Sequence, residues 1–450
     1  MAGSLRSWFA AAPHVPRLPA DEAARLYPGY RLRVLEATFL GYAMFYLVRN
    51  PVSPVMKDMQ AALQYDDLMV GNIMAATSIA YGIGKFFMGS LSDRCNPRAF
   101  MAVGLLLTAV CNFAFGASRN YNVHVAIWAM NGLFQGMGWP PCGRSMGHWF
   151  SERERGLTFS IWNTSHNVGG GIAGALAAYA AGAFGGWQYA LFVPGLVAAA
   201  GSAYLFLRLV DTPQSVGLPP VEEYKNDFTE EERREGLHEQ ELSFRERLLD
   251  HVLKNPYVWI LAIANFFAYI TRYGMLTWGP KYLAEVKGAS TQSGGWAQLA
   301  LEFGGIPSTI LLGWLSDRLG GRRGRVSVLC MILILPVFAA IPFVPGGSLW
   351  MDNVLLVLVG FFIYPVINLI VVQALDITSK KAIGTAAGFI GLFGYMGQTA
   401  MNTTFGWILK NYKPVYGVEG AWNIVIKTIL GCTVLAVLLL LPMWRMRPKA

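Results

Sequence analysis

The sequence is poor in charged residues and in cysteine. Asp, Glu, Lys and Arg make up 14% of its 450 residues, against about 25% in soluble globular domains. The five cysteines stand singly, without a CxxC pair, at Cys95, Cys111, Cys142, Cys330 and Cys432. A disulfide framework is therefore not expected, and the cysteines are interpreted as packing residues.

Motifs for chemical catalysis are missing as well. The sequence contains no metal-ligand spacing and no nucleophile–base constellation, which predicts no metal, no cofactor and no enzymatic activity. The fragment GIGK ends at Lys85 and resembles part of a nucleotide-binding loop. That loop requires a glycine where Ile79 stands and a serine or threonine where Phe86 stands, so an ATP-driven motor is excluded.

Long apolar stretches are abundant instead. Hydrophobic residues make up 54% of the chain, and the mean hydropathy is +0.39. A helix needs roughly 20 apolar residues to cross a bilayer, and the pattern predicts an all-α membrane protein with twelve transmembrane helices. The predicted spans are 34–56, 67–90, 98–117, 122–146, 156–183, 188–210, 255–284, 292–317, 325–344, 352–375, 383–410 and 421–444.

The net charge of +9 follows the predicted membrane topology, so no nucleic-acid partner is expected. Arginine and lysine cluster in alternate loops and beside the chain ends, for example at Arg31, Arg33, Arg94, Arg98, Arg153, Arg155, Arg322, Arg323, Lys380, Lys381, Arg445 and Arg447. By the positive-inside rule this places both termini in the cytoplasm.

The polar first thirty residues lack the apolar region of a cleavable signal peptide.

The chain contains an internal repeat. LSDRCNPR and LSDRLGGRRGR each follow the second span of one half, and Ser92 and Ser316 lie 224 positions apart. Arg272 lies at nearly the same sequence offset from Arg49, so each half carries an arginine in its first span. The predicted organisation is a cytoplasmic segment 1–33, a six-helix half 34–210, a cytoplasmic linker 211–254, a second half 255–444 and a cytoplasmic tail 445–450.

Arg49 is the first candidate site residue. A charge near the bilayer centre costs at least about 2.5 kcal/mol, so Arg49 should face a cavity, a ligand or a counter-charge. Tyr42, Tyr46 and Arg49 are spaced i, i+4 and i+7, which places them on one helix face. Two phenols and a guanidinium on one face predict an anion site. Snorkelling of Arg49 to the membrane interface is the alternative.

The second half repeats this pattern with Tyr269 and Arg272. His166 is the one histidine expected in the middle of a span, and it is a candidate phosphate ligand or a packing residue. Glu302 is expected to neutralise a buried cation, either Lys85 or Arg272. Further candidates for the cavity lining are Tyr81 and Lys85, which are four residues apart, together with Tyr364 and Tyr395.

Two arginines that face one cavity suit a phosphate ester, which carries close to two negative charges at neutral pH. Without an anion, guanidiniums about 8 Å apart repel by about 2 kcal/mol at an effective dielectric constant near 20. A bound dianion turns this repulsion into attraction. The sequence therefore predicts exchange, in which one anion enters as another leaves.

The chain resembles the organophosphate:phosphate antiporter family of the major facilitator superfamily. The resemblance rests on YLVRN at Tyr46–Asn50 and on SIAYGIGKF, SDRCNPR, FQGMGWPPCGR, WNTSHNVGGG, DTPQSVGLPPVEEYKND, TRYG and LFGYMG. It implies rocker-switch exchange of glycerol 3-phosphate or a related organophosphate for inorganic phosphate across the bacterial inner membrane. It also implies phosphate binding by Arg49 and Arg272 with assistance from His166. The bilayer is the expected environment, and a monomer is expected.

The chain departs from the family pattern at several positions. Asn50 and Thr277 replace a lysine and an aspartate that are thought to pair, and Gln373 replaces a histidine. Ala387 and Ile390 stand where hexose-phosphate members carry Asp and Lys, which favours a small substrate such as glycerol 3-phosphate. Hexose phosphate, phosphoglycerate and a transporter-like organophosphate sensor are the alternatives.

Overall fold

The computed structural model describes residues 9–92, 95–226, 249, 252–378 and 383–446, and these residues are predominantly helical. Arg94, Lys380, Lys381 and Arg447 of the topology argument lie outside them. The helices are α1 Ala20–Leu47, α2 Val52–Leu63, α3 Asp67–Ser92, α4 Pro97–Ala117, α5 Tyr121–Gln135, α6 Trp139–Trp149, α7 Glu152–Asn163, α8 Ser165–Phe184, α9 Tyr189–Arg208, α10 Val221–Lys225, α11 Pro256–Val286, α12 Thr291–Arg318, α13 Arg323–Ala340, α14 Leu349–Ile377 and α15 Ile383–Leu440.

The all-α prediction is confirmed for the described residues. Each predicted span coincides with one of these helices, with two consecutive ones or with part of α15. By length and composition, seven helical segments of the described chain could cross a membrane, the last being the combined segment Thr385–Arg445. The number of twelve spans stays a prediction.

The prediction of one continuous helix over the first span is wrong. Helix α1 ends at Leu47 and α2 begins at Val52, so Arg49 lies in a break just before Pro51. A break at membrane depth requires new partners for the freed backbone groups. The Val48 carbonyl obtains two, because it accepts hydrogen bonds from Asn112 Nδ2 at 3.0 Å and Asn131 Nδ2 at 3.2 Å.

The predicted gap between spans eleven and twelve is also largely helical. The only non-helical backbone recorded inside α15 is Gly417, with φ 71° and ψ 177°. Glycine alone adopts this conformation readily. Residues 411–416 therefore extend the preceding helix, which carries Lys413 to the end of the bundle opposite the chain termini.

The beginning of the predicted linker packs against the first half. Asp211 pairs with Arg144 at 3.0 Å, and the Tyr224 ring stacks on Tyr27 with centroids 3.8 Å apart. Val221 is fully buried. Most of the predicted linker, 227–248 and 250–251, lies outside the described residues.

The first half, α1 to α9, meets the second half, α11 to α15, chiefly through two helix pairs. Helix α3 packs against α15, and α8 packs against α12. The second pair approaches closely, since a Cβ atom at Gly295 would lie 2.6 Å from the Gly174 carbonyl oxygen. Helix α2 also packs against α11 across the halves, where the Ser53 hydroxyl donates to the Leu276 and Thr277 carbonyls.

An inter-half ion network, Asp67, Lys281, Glu285 and Lys413, joins the halves at the end opposite the termini. The Lys281 side chain is 1% exposed and pairs with Asp67. Lys413 contacts Asp67 at 2.9 Å and Glu285 at 2.7 Å. Two cations thus neutralise two carboxylates, and Asp67 comes from the first half while the other three come from the second.

Replacing Lys281 with methionine is expected to destabilise the protein by about 3 kcal/mol. The substitution leaves buried carboxylates with one cation fewer, and breaking a buried pair is costly. Thermal unfolding in detergent measures the effect. Lys410→Met is the matched control, because the Lys410–Asp66 pair is exposed and such pairs contribute at most about 1 kcal/mol. Equal shifts for the two variants would contradict the role of the network.

Candidate functional site

The Arg49 guanidinium is held by aromatic faces and one amide. Its Cζ atom lies 4.1 Å from the Tyr46 ring centroid and 4.3 Å from that of Tyr81. Its Nε donates to Gln135 Oε1 at 3.1 Å, and Gln135 Nε2 donates in turn to the Phe45 carbonyl at 2.9 Å. Arg49 is 6% exposed, yet its Nη2 has no partner among the described residues.

Arg272 has a matching environment in the second half. It lies within the continuous helix α11 and is 5% exposed. Its Cζ is 4.3 Å from the Tyr364 ring centroid and 4.8 Å from that of Tyr273. Neither Nε nor Nη2 has a hydrogen-bond partner in the described part of the chain. Both arginines therefore carry buried N–H groups that are available to an anion.

His166 lies between the two arginine environments. Its ring centroid is 5.7 Å from that of Tyr46 and 6.0 Å from that of Tyr364. These two tyrosines are the ones that cover Arg49 and Arg272. Both guanidinium charges act electrostatically on Tyr46 and on His166. His166 Nδ1 contacts the Asn163 carbonyl, and since a carbonyl only accepts, Nδ1 is the donor.

The remaining predicted tyrosines extend this aromatic cluster. Tyr42 packs edge-on against Tyr46 at 5.4 Å and stacks on Trp162 at 5.0 Å. Tyr395 of the second half lies 4.6 Å from Tyr81 of the first half and 5.4 Å from Tyr269. The cluster therefore crosses the boundary between the halves.

Lys85 and Glu302 lie apart from each other. The Lys85 ammonium is 5.3 Å from the Trp139 ring centroid, and Lys85 is half-buried. Glu302 is 1% exposed, and its Oε2 accepts a hydrogen bond from Asn167 Nδ2 at 2.9 Å. Of the two cations expected near Glu302, Arg272 acts on it electrostatically. Within the described residues no cation pairs directly with this carboxylate.

A small cavity adjoins Arg49. It measures about 20 Å³, room for one water molecule. First-half residues Asn50, Thr77, Ser78 and Gln135 and second-half residues Tyr273, Thr277, Tyr395, Gln398 and Asn402 are among those that line it. A phosphate ester does not fit in this volume while the halves are in this arrangement.

Several buried polar residues were not predicted from the sequence. Gln135 holds Arg49, and Asn112 and Asn131 hold the broken helix beside it. Asn131 and Gln135 are four residues apart in an apolar span, and that spacing was a usable signal. A second buried histidine, His124, lies in the first turn of α5, where it is 0% exposed and bonds to the Tyr65 hydroxyl at 3.0 Å.

Comparison with known proteins agrees with this architecture. The sequence profile of the Major Facilitator Superfamily matches residues 38–401, and the chain belongs to that superfamily. A solved structure of a bacterial homologue of the human lysosomal transporter Spinster, inward-facing and unoccupied, superimposes with a TM-score of 0.76. Its identity is 14%, over 94% of this chain and 99% of that one, and this similarity supports the fold alone.

Curated relatives place the chain more narrowly. A glycerol-3-phosphate transporter of Bacillus subtilis (strain 168) is 40% identical over 98% of both chains. A probable hexose phosphate transport protein of Chlamydia pneumoniae is 36% identical over 98% of this chain and 97% of its own. Within the superfamily, the chain belongs to the organophosphate:phosphate antiporter family, as its motifs suggested.

Replacing Gln135 with leucine is expected to weaken the binding of an organophosphate about tenfold. The variant removes the acceptor that holds the Arg49 guanidinium in place, and ordering a mobile side chain on binding costs about 0.5–1.5 kcal/mol. Titration of the detergent-solubilised protein with glycerol 3-phosphate measures the affinity. Asn131→Leu is the control, because Asn131 lies one turn away and bonds to the Val48 carbonyl without contacting the guanidinium. A Gln135→Leu protein with unchanged affinity would contradict the positioning role.

Proposed function

We propose that this protein exchanges glycerol 3-phosphate for inorganic phosphate across the bacterial inner membrane by alternating access. The observation that carries the proposal is the pair of buried guanidiniums, one from each half, with unpartnered N–H groups. Buried charges are normally paired, and among the described residues neither arginine has a carboxylate partner. A phosphoryl group supplies the missing negative charge and the missing acceptors.

In this mechanism Arg49 and Arg272 bind the phosphoryl oxygens. His166 adds a donor between them when its second ring nitrogen, Nε2, is protonated, because Nδ1 already donates to the Asn163 carbonyl. Tyr42, Tyr46, Tyr81, Tyr269, Tyr364 and Tyr395 form the walls of the site. Lys85 lies toward one end of the translocation path, and Glu302 balances the charge around Arg272. Because the phosphoryl group contacts both halves, its arrival favours their approach and the passage through a closed state.

Exchange follows from the cost of the empty site. An empty site leaves two cations unneutralised. The empty protein therefore converts slowly between its inward-open and outward-open conformations, and the loaded protein converts quickly. Inorganic phosphate then crosses the membrane in one direction only when an organophosphate or another phosphate crosses in the opposite direction. Transport requires no chemical transformation of the substrate and no cofactor.

The proposed topology has both termini in the cytoplasm and a monomeric unit of two halves at 34–210 and 255–444. The inter-half ion network then lies on the periplasmic side, where it holds the halves together. The relative named a glycerol-3-phosphate transporter supports glycerol 3-phosphate as the substrate. Ala387 and Ile390 support it too, because they stand where hexose-phosphate members carry Asp and Lys. The relative named a probable hexose phosphate transport protein keeps hexose phosphate as the second candidate.

Arg49→Lys is expected to reduce phosphate exchange by at least about tenfold. Lysine keeps the charge but loses the planar fork that binds two oxygens, and charge-assisted bonds contribute about 1.5–3 kcal/mol. Counterflow of labelled phosphate in proteoliposomes measures the rate. Arg208→Lys is the control, since Arg208 is an exposed partner of Glu36. Wild-type counterflow by Arg49→Lys would exclude bidentate binding at this arginine.

Glycerol 3-phosphate is expected to inhibit labelled phosphate exchange more strongly than glucose 6-phosphate or phosphoglycerate. The assay uses vesicles loaded with phosphate, and vesicles without an internal anion are expected to fill slowly. Stronger inhibition by glucose 6-phosphate would instead identify hexose phosphate as the organic substrate. Organophosphate binding without any counterflow would indicate a sensor.

A further inference from the structure

The cavity beside Arg49 contains polar groups that phosphate binding does not use. Apart from Arg49, the residues that line it are uncharged, and they include Asn50, Thr277, Gln398 and Trp128. Asn50 and Thr277 are the two positions at which the sequence lacks the charged pair of the family. Both halves contribute to this lining.

Thr277 is the most informative of these residues. It is 2% exposed, and its hydroxyl has no hydrogen-bond partner among the described residues. A helical threonine usually bonds to a carbonyl one turn earlier. Thr271 in the same helix does so, donating to the Phe267 carbonyl at 3.1 Å. The Thr277 hydroxyl is therefore unpaired within a well-packed helix, which is unfavourable for a buried donor.

Other polar groups belong to the same cavity. The Trp128 indole Nε1 lacks a partner within the described chain, although Trp128 is fully buried. Gln398 adds a buried side-chain amide to the lining. When the halves are apart, these groups can bond to the polar atoms of a ligand in place of the partners that they lack here.

We propose that the residues lining this cavity form, once the halves move apart, the subsite for the hydroxyl groups of the substrate's organic part, with Thr277 and Gln398 as specificity-determining residues. The inference rests on the proposed function. Hydroxyl groups fit because each one donates and accepts, as a threonine hydroxyl and an amide require. The cavity offers no cation besides Arg49, which disfavours a second acidic group on the ligand. The ligand class is accordingly an uncharged polyol carrying one phosphate.

The first test compares two ligands on the unaltered protein. Glycerol 3-phosphate and n-propyl phosphate share the phosphoryl group and the chain length, but n-propyl phosphate lacks both hydroxyl groups. We expect glycerol 3-phosphate to inhibit labelled phosphate exchange at about a tenfold lower concentration, since buried polar groups left unpaired penalise the analogue. Equal inhibition by the two ligands would overturn the proposal while leaving phosphate exchange intact.

The second test asks whether Thr277 and Gln398 produce the preference for the ligand that carries hydroxyl groups. In Thr277→Val and Gln398→Leu we expect the preference for glycerol 3-phosphate over n-propyl phosphate to fall about five- to tenfold, with phosphate self-exchange still measurable. Thr271→Val is the control, because its hydroxyl already bonds within its own helix. Thr277→Ser keeps the hydroxyl and should keep the preference.

The outcomes separate the two proposals. A preference that survives both Thr277→Val and Gln398→Leu would place the hydroxyl subsite elsewhere and overturn this assignment. Absence of phosphate self-exchange in the unaltered protein would instead overturn the proposed transport function. Should Thr277→Val fail to fold, Gln398→Leu and the two-ligand comparison still decide the question.

Discussion

The structure depends on the burial of two arginines without carboxylate partners in the part of the chain that is described. Removing a guanidinium from water costs several kcal/mol unless other groups replace the lost hydration. Here aromatic faces do most of this: Tyr46 and Tyr81 cover Arg49, while Tyr273 and Tyr364 cover Arg272. Such contacts contribute up to about 2 kcal/mol each when desolvated. They stabilise the charge yet leave N–H groups available to an anion.

The break in the first helix serves the same site. Pro51 cannot continue the hydrogen-bond ladder of the helix, and the chain leaves the helix around Arg49. Asn112 and Asn131 then satisfy the Val48 carbonyl, while Gln135 bonds to the Phe45 carbonyl and to the Arg49 guanidinium. The second half places Arg272 in an unbroken helix, so the two halves reach similar arginine environments by different local structures. Internal repeats of sequence therefore do not require identical backbones.

The central site and the inter-half ion network lie on the same helices. Asp67 begins α3, which also carries Tyr81, and Lys281 follows Arg272 and Thr277 in α11. Both levels of contact between the halves therefore use the same two helices, and in α11 Pro280 lies between Thr277 and Lys281. We expect a separation of the halves at one level to change their contact at the other.

The sequence by itself determined the class of protein and much of the aromatic cluster. Hydropathy fixed the positions of the helices, and helical spacing placed Tyr42 and Tyr46 beside each other and brought Arg49 onto the Tyr46 face. These properties are local, since they depend on one helix and on the apolar solvent around it. The predicted continuity of the first span was wrong because a tertiary contact, the pairing of Val48 with two distant asparagines, stabilises the break.

Tertiary structure alone decided which residues meet across the halves. The contact of Tyr81 with Tyr395, the pairing of Lys281 with Asp67 and the shared cavity of Asn50 and Thr277 join positions more than two hundred residues apart. No periodicity within one helix reports on such contacts, because they depend on how helices from different parts of the chain pack. The sequence thus defined the chemical groups, and packing between the halves defined which of them form one site.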